Sequence, residues 1–128
     1  MGKFKTKILV VDDEPEARAA LAHTLKANGY EVLEASSGKE VLARAKSDWP
    51  ALIILDIILP DIPGNVVLER LRADPITQLI PVLLLTAKPG VLEQLHVFDK
   101  TSDRLFEKPG RIEDLVKTVH EMLTRGKR

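Results

Sequence analysis

The sequence contains no cysteine, which excludes disulfides, zinc–thiolate sites and thiol nucleophiles. Basic and acidic residues balance at 19 each, so no net charge favours binding to nucleic acid or to an anionic membrane. No apolar run approaches the length of a membrane span, and the N-terminus lacks the apolar core of a secretory signal. A cytoplasmic location is therefore the default expectation.

The length and composition of the chain are typical of one globular domain. A chain of 128 residues that is 45% apolar and 30% charged can bury a single core. We therefore expect residues 1–128 to form one domain, with the basic tail 125–128 frayed. Continuous apolar runs at 8–11, 52–55 and 80–85 predict strands that are buried on both faces, as in a parallel sheet covered by helices.

Two shorter strands and five helices complete the pattern. Residues 31–35 are charged enough for an edge strand, and 105–106 form the last strand. Pro15 suits the first helical turn, which Asp12 or Asp13 could cap, and Ser37 and Glu40 have the spacing of a capping box. The positions predicted to face the core are Ala17, Ala20, Leu21, Leu25 and Asn28; Val41, Leu42 and Ala45; Val67, Leu68 and Leu71; Leu92, Leu95 and Phe98, after Pro89; and Ile112, Leu115, Val116, Val119 and Leu123.

Strict alternation of strands and helices predicts the fold class. Five strand–helix units imply an α/β, doubly wound parallel sheet with right-handed crossovers and helices on both faces. The carboxyl ends of all its strands would then lie at one edge, where ligands bind in such sheets.

Polar side chains stand at the predicted strand ends, namely Asp12, Asp13, Asp56, Thr86 and Lys108. Each also has an ordinary structural interpretation: a helix cap for either of the first two, a turn for Asp56, a capping hydroxyl for Thr86 and a solvated cation for Lys108. Together, crowded carboxylates without histidine or cysteine favour Mg²⁺. An ammonium and a hydroxyl beside them suit a tetrahedral oxyanion, which makes a carboxylate a plausible phosphoryl acceptor.

These motifs resemble the receiver domains of two-component response regulators, over almost the whole chain. Thr86 follows Asp56 by 30 residues and Lys108 follows it by 52, as in that family. Four motifs in the family's order and spacing make the resemblance highly specific. The matching segments are Ile8–Pro15, Leu55–Pro60 with Gly64, Leu84–Ala87, and Lys108–Pro109.

The resemblance implies a phosphorylation-activated switch that accepts a phosphoryl group from a sensor kinase phosphohistidine onto Asp56. It implies that Thr86 and Lys108 contact the phosphoryl oxygens. It implies a Mg²⁺ ion held by Asp12, Asp13, Asp56 and the backbone carbonyl of Ile58. It further implies a flavodoxin-like (βα)5 fold with strand order 2-1-3-4-5, a cis Lys108–Pro109 peptide, and no catalysis beyond the domain's own phosphorylation and dephosphorylation.

The implied partner is a sensor histidine kinase or a phosphotransfer protein. A homodimer through the last helices and strand is a second expectation. Direct binding to nucleic acid or to a membrane is not expected, because neither the charge balance nor an apolar span favours it.

The chain departs from the family pattern around its last strand. Leu105 stands where the family usually has an aromatic residue, and Gly110 stands where phenylalanine is common. Side chains alternate faces along a strand, so we predict that Phe106 points away from the side of Thr86 and cannot act as the aromatic switch residue. The switch would then act mainly through Thr86 and the Lys88–Phe98 segment.

Three other functions compete with the switch. An aspartyl-phosphate hydrolase would need a second acid two residues after its nucleophile, where this chain has Ile58, and a substrate cap for which 128 residues leave no room. A receiver fold used only for docking, without phosphorylation, is kept open by the altered last strand. The chain could also be the receiver of a larger regulator or of a hybrid kinase.

Overall fold

The structure is a computed structural model that describes residues 5–87, 103–108 and 110–125. The predicted helix after Pro89 and the Lys88–Phe98 segment lie outside these residues, as do Pro109, with the predicted cis peptide, and residues 126–128 of the predicted tail. The tail was predicted to begin at Arg125, but this residue is the last of a helix. Within the described residues, no helix combines the length and the apolar character that a membrane span requires. The elements are β1 (Lys7–Val11), α1 (Pro15–Ala27), β2 (Glu31–Ala35), α2 (Gly38–Asp48), β3 (Leu52–Asp56), α3 (Gly64–Ala73), β4 (Val82–Thr86), β5 (Arg104–Glu107) and α4 (Ile112–Arg125).

The five strands form one parallel sheet in the order β2-β1-β3-β4-β5, which confirms the predicted fold class and strand order. The charged strand β2 lies at an edge, as predicted. In the register between neighbours, Val11 pairs with Leu55, Asp56 with Leu85, and Thr86 with Glu107. The strand ends that carry the polar residues therefore meet at one edge of the sheet.

Each face of the sheet has its own hydrophobic core. Side chains alternate along each strand, so Leu9, Ile53 and Leu84 join the core formed with α2 and α3. Their neighbours Ile8 and Leu83 join the opposite core, with α1 and α4. Burial on both faces explains why the three central strands carry unbroken apolar runs.

Helix α1 differs in detail from its prediction. Its buried residues are Leu21, Ala22 and Leu25, whereas Ala17, Ala20 and Asn28 are exposed. The buried stripe is rotated toward Ala22, which leaves Ala20 on the far side of the helix and Ala17 at the margin. The predicted inward positions of α2, α3 and α4 are confirmed as buried or half-buried, and α4 also buries Met122.

The helix caps are confirmed only in part. Pro15 opens α1 as predicted, but the cap residue is Glu14 and no side chain caps that helix. At α2, the Ser37 hydroxyl accepts a hydrogen bond from the Glu40 amide at 3.3 Å, as the capping box requires. The Glu40 carboxylate then reaches the Ser36 amide, at 2.8 Å, rather than the amide of the cap residue itself.

Candidate functional site

Lys108 joins two of the predicted carboxylates at the carboxyl edge of the sheet. Its Nζ donates to Oδ2 of Asp56 at 2.9 Å and lies 4.0 Å from Oδ2 of Asp12. Both aspartates are almost wholly buried, at 5% exposure for Asp12 and 7% for Asp56. Residues 52 positions apart thus form one cluster because β1, β3 and β5 end at the same edge.

Asp56 combines the ordinary interpretation of its position with the functional one. It is the last residue of β3, and its Oδ1 accepts a hydrogen bond from the Ile58 amide at 3.0 Å, which is the turn contact expected of an aspartate there. The turn uses only one carboxylate oxygen. The other oxygen faces Lys108, so the turn also orients the carboxylate toward the cation.

Asp12 is fixed by its own backbone neighbours. Its Oδ1 accepts from the Glu14 amide at 2.9 Å, just before α1 begins. The Arg18 guanidinium donates to the Asp12 carbonyl at 2.7 Å and to the Glu34 carboxylate at 3.0 Å. The first turn of α1 therefore anchors the loop that carries the N-terminal acids.

The charge environment keeps Lys108 protonated. Burial alone would lower the pKa of Lys108, but the hydrogen bond to Asp56 and the charges of Asp56, Asp12 and Glu14 outweigh it, so that the pKa lies above its ordinary value. The ammonium is thus a permanent positive charge at neutral pH beside two buried carboxylates.

Thr86 is the last residue of β4, which lies between β3, where Asp56 is located, and β5, which Lys108 follows. It is 5% exposed. Its carbonyl accepts from the Lys108 amide at 2.6 Å, which fixes the backbone of that lysine relative to β4. On the other side of β4, the Ile57 amide donates to the Leu85 carbonyl at 3.1 Å. The strand therefore aligns Thr86 with the phosphoacceptor candidate and with the lysine.

The remaining predicted metal ligands lie differently. Asp13 is exposed, and the side chain of Ile58 is 65% exposed. Across residues 5–87, 103–108 and 110–125, no three acidic, histidine or cysteine side chains are grouped closely enough to hold a metal. The donor set nevertheless suits Mg²⁺, because this ion binds oxygen, uses one or two carboxylates and keeps several waters. Asp12 and Asp56, which are buried and both lie near the Lys108 ammonium, are the two carboxylates that would be available to such an ion.

A comparison with protein families decides the identity. The family model described as the response regulator receiver domain matches residues 8–120. The chain belongs to this family. It is therefore a receiver domain of the two-component response regulators, as the motifs predicted.

Known proteins similar to this receiver domain include a DNA-binding dual master transcriptional regulator, RpaA, from Synechocystis sp. It is 36% identical over 95% of this chain and 51% of the relative. The chain spans about half the length of the curated relatives it matches. Because that longer relative is described as DNA-binding, the expectation of no nucleic-acid contact stays a prediction about these 128 residues alone.

Solved structures share the fold closely. The chemotaxis response regulator CheY4 of Vibrio cholerae superposes with a TM-score of 0.81 at 30% identity, covering 93% of this chain and 99% of that one. The signal receiver domain of a signal transduction histidine kinase from Syntrophus aciditrophicus gives a TM-score of 0.84 at 30% identity, covering 96% and 93%. The receiver fold thus occurs in both a response regulator and a kinase among the similar proteins.

Two residues near the site, Gly64 and Arg18, have roles in the structure that the sequence analysis did not assign, although Gly64 belongs to the matching segments. A Cβ atom on Gly64 would lie 2.6 Å from both the Asp56 carbonyl oxygen and the Ile57 Cα, so only glycine allows α3 to begin against the end of β3. Arg18 was missed because its contacts are to a backbone carbonyl and to β2. The available signal for Gly64 was its place in the family motif, eight residues after Asp56 and at the start of an apolar helix.

Proposed function

We propose that this receiver domain is a switch that a sensor kinase or phosphotransfer protein activates by phosphorylating Asp56. The observation that carries the proposal is the position of the Lys108 Nζ, 2.9 Å from Asp56 and within 4.0 Å of Asp12. A buried carboxylate paired with a lysine at the carboxyl edge of a parallel sheet is a nucleophile whose charge is compensated where ligands bind.

The proposed transfer requires a single displacement. A carboxylate oxygen of Asp56 attacks the phosphorus of a phosphohistidine, the phosphorus–nitrogen bond breaks, and the imidazole leaves with the electron pair. Lys108 keeps its proton, since its pKa is raised, and attracts the negative charge on the transferred oxygens. Thr86, at the end of the adjacent strand, would donate a hydrogen bond from its hydroxyl group to one of these oxygens.

We assign Asp12, Asp13, Asp56 and the carbonyl of Ile58 as the residues that would hold Mg²⁺, as the family resemblance implies. Because no three carboxylates of the described residues are grouped closely enough to hold an ion, at most two of them would bind it directly and the third would act through a water. When bound, the ion would offset the carboxylate charge and stabilise the negative oxygens of the transition state. The chain's own contribution is to fix the ligands. Asp12 is oriented by the Glu14 amide and Asp56 by the Ile58 amide, so two carboxylates are already arranged before any ion binds.

The partners follow from the family. A sensor histidine kinase or a phosphotransfer protein would supply the phosphoryl group, and a homodimer through the last strand and helices remains our second proposed contact. Because the similar regulators are about twice as long as this chain, and one similar structure is a kinase receiver, we also consider a receiver within a larger regulator or hybrid kinase.

Incubation with acetyl phosphate and Mg²⁺ tests the proposal. The intact mass should rise by one phosphoryl group, EDTA should prevent the rise, and Asp56→Asn should abolish it. Asp74→Asn is the matched control, because Asp74 is a loop aspartate at the end of α3, with a backbone amide contact of its own. Labelling of Asp56→Asn at the parent rate would contradict the assignment to Asp56, whereas a parent protein that is not labelled at all would favour the docking-only alternative.

A further inference from the structure

Asp61 joins the loop after β3 to the neighbouring helix α2. Its Oδ1 accepts hydrogen bonds from the amides of Gly38 and Ile62, both at 2.8 Å, and its Oδ2 accepts from the Lys39 amide at 3.0 Å. Gly38 and Lys39 are the first two residues of α2. One carboxylate, five residues after Asp56, therefore caps a helix whose first two residues lie 23 and 22 residues before it in sequence.

The loop after β3 also packs closely against α2, in addition to its hydrogen bonds. A Cβ on Gly38 would lie 2.9 Å from the Ile62 Cβ and 3.0 Å from Val67 Cγ2, so the loop packs directly against the first turn of α2. The amide of Gly38, followed by those of Lys39 and Ile62, lowers the pKa of Asp61, which keeps the carboxylate charged. Helix α3, which follows the loop, has no side-chain cap of its own.

The base of the same loop contacts the phosphoacceptor. The Gly64 amide donates to the Ile57 carbonyl at 2.7 Å and closes the loop, and the Ile58 amide donates to Oδ1 of Asp56 at 3.0 Å. The loop is therefore closed at its base and attached at its tip. The Ile58 amide, which orients Asp56, lies between these two points.

We propose that Asp61 is a positioning residue for phosphoryl transfer. By attaching the loop tip to α2, it holds the Ile58 amide where it directs one Asp56 oxygen into the turn and leaves the other toward Lys108. Asp61 does not touch the transferred group. The inference rests on the proposed function, because it assigns a role in the reaction at Asp56.

The test compares Asp61→Ala with the parent protein in two measurements. In the unphosphorylated domain, hydrogen exchange should show faster exchange at the Ile58 amide. With acetyl phosphate and Mg²⁺, the labelling rate should fall about tenfold, less than the roughly 100-fold that a 1 Å misplacement can cost. Asp61→Asn keeps one acceptor oxygen, for the Gly38 and Ile62 amides, and should recover part of both effects.

Asp74→Ala is the matched control for general loss of stability. Asp74 is also a loop aspartate that accepts a backbone amide, from Ile76 at 2.9 Å, and pairs with Lys46 at 3.0 Å, but it follows α3 at the opposite end from the β3–α3 loop. This variant should lose stability without changing the Ile58 amide or the labelling rate. Equal slowing by Asp74→Ala and Asp61→Ala would overturn the proposal.

The two measurements separate this inference from the proposed function. If the parent protein is not labelled, the proposed function fails, and the hydrogen exchange result still decides whether Asp61 positions the Ile58 amide. If the parent is labelled and Asp61→Ala leaves both Ile58 exchange and labelling unchanged, the positioning role is wrong and the proposed function stands.

Discussion

At the scale of single residues, Lys108 compensates the charge of two carboxylates that are almost wholly buried. Lys108→Met should lower the free energy of unfolding at pH 7 by about 1–2 kcal/mol. This is less than the roughly 3–5 kcal/mol for breaking a fully buried pair, because solvent screens a partly exposed lysine. The lysine side chain is 35% exposed. Urea unfolding at fixed pH measures the difference.

The same variant should respond to Mg²⁺. Without the ammonium, the two buried carboxylates have lost the cation that compensates them, and a divalent cation would replace its charge. The deficit in the free energy of unfolding relative to the parent should therefore shrink when Mg²⁺ is added at pH 7. A deficit that is insensitive to Mg²⁺ would mean that Lys108 contributes through packing alone.

Gly64 allows α3 to begin close against the end of β3. In Gly64→Ala the new methyl group would lie 2.6 Å from backbone atoms of Asp56 and Ile57, which cannot move aside as a flexible side chain can. We expect a loss of about 1–3 kcal/mol in the free energy of unfolding, as for other overpacked sites. Labelling at Asp56 should slow as well, because the displaced backbone carries that carboxylate.

Gly29→Ala provides the contrast for Gly64. Gly29 has a positive φ of 93°, but a methyl group added there would meet no atom within 4 Å, so its substitution strains the backbone without a clash. It should lower stability and leave labelling unchanged. If both alanine variants were labelled at the parent rate, the close approach at Gly64 would matter to folding only.

At the scale of elements, the N-terminus of α2 depends on two carboxylates. The Ser36 amide and hydroxyl lower the pKa of Glu40, and the Gly38 amide, followed by two others, lowers the pKa of Asp61. A carboxyl group whose folded pKa is lowered stabilises the fold above its unfolded pKa and loses that effect as the pH falls through the folded value. Acid should therefore loosen this end of α2 first.

Thermal melts between pH 5 and about pH 3 test this dependence. In the double variant Glu40→Gln/Asp61→Asn the melting temperature should fall less steeply with decreasing pH than in the parent, since two of the titrating groups are gone. Asp74→Asn is the control, because it removes another carboxyl of lowered pKa that does not cap α2. This substitution should also reduce the dependence of the melting temperature on pH, but it should not change hydrogen exchange at the Gly38 and Lys39 amides.

The elements themselves were largely predictable, and their long-range attachments were not. Apolar runs and helical periodicity identified every described strand and helix, because burial on one or two faces leaves a local pattern. Asp103 shows the limit. It is buried, bonds Arg72 at 2.5 Å and the Val82 amide at 2.8 Å, and so joins α3, β4 and the start of β5. Its partners lie 31 and 21 residues away, and no local pattern connects them.

At the scale of the whole molecule, the grouping of these side chains was predictable, because a parallel sheet brings the carboxyl ends of its strands to one edge. Once the strands are parallel, Asp12, Asp56, Thr86 and Lys108 must share an edge, and the structure brings Asp56 and Lys108 into direct contact. The strand order came from the family resemblance. Side-chain exposure could not be foreseen in the same way, since Asp13 follows Asp12 directly and yet is exposed.

The packing of the last strand explains one departure from the family. A Cβ on Gly110 would lie 2.5 Å and 2.7 Å from two ring atoms of Phe106, so the ring occupies the space into which a side chain at 110 would project. Phe106 joins the core formed with α1 and α4, whereas Leu105 joins the core on the face of Leu84. The prediction that Phe106 points to the opposite face from Leu105 is confirmed.

This arrangement predicts where a signal would leave the domain if Asp56 is phosphorylated. Thr86 lies two residues after Leu84 on β4, and Leu84 is paired with Leu105. Thr86 and Leu105 therefore lie on the same face of the sheet, so we expect a movement of Thr86 to act on the side of Leu105 and not on that of Phe106. We expect phosphorylation to shift the NMR signals of Thr86, Leu105 and residues 88–98 while the Phe106 ring signals stay unmoved. Phe106→Leu should preserve the Thr86 shift, whereas Leu105→Ala should change it. Strong shifts of Phe106 with an unmoved Thr86 would instead place the switch on the side of α4.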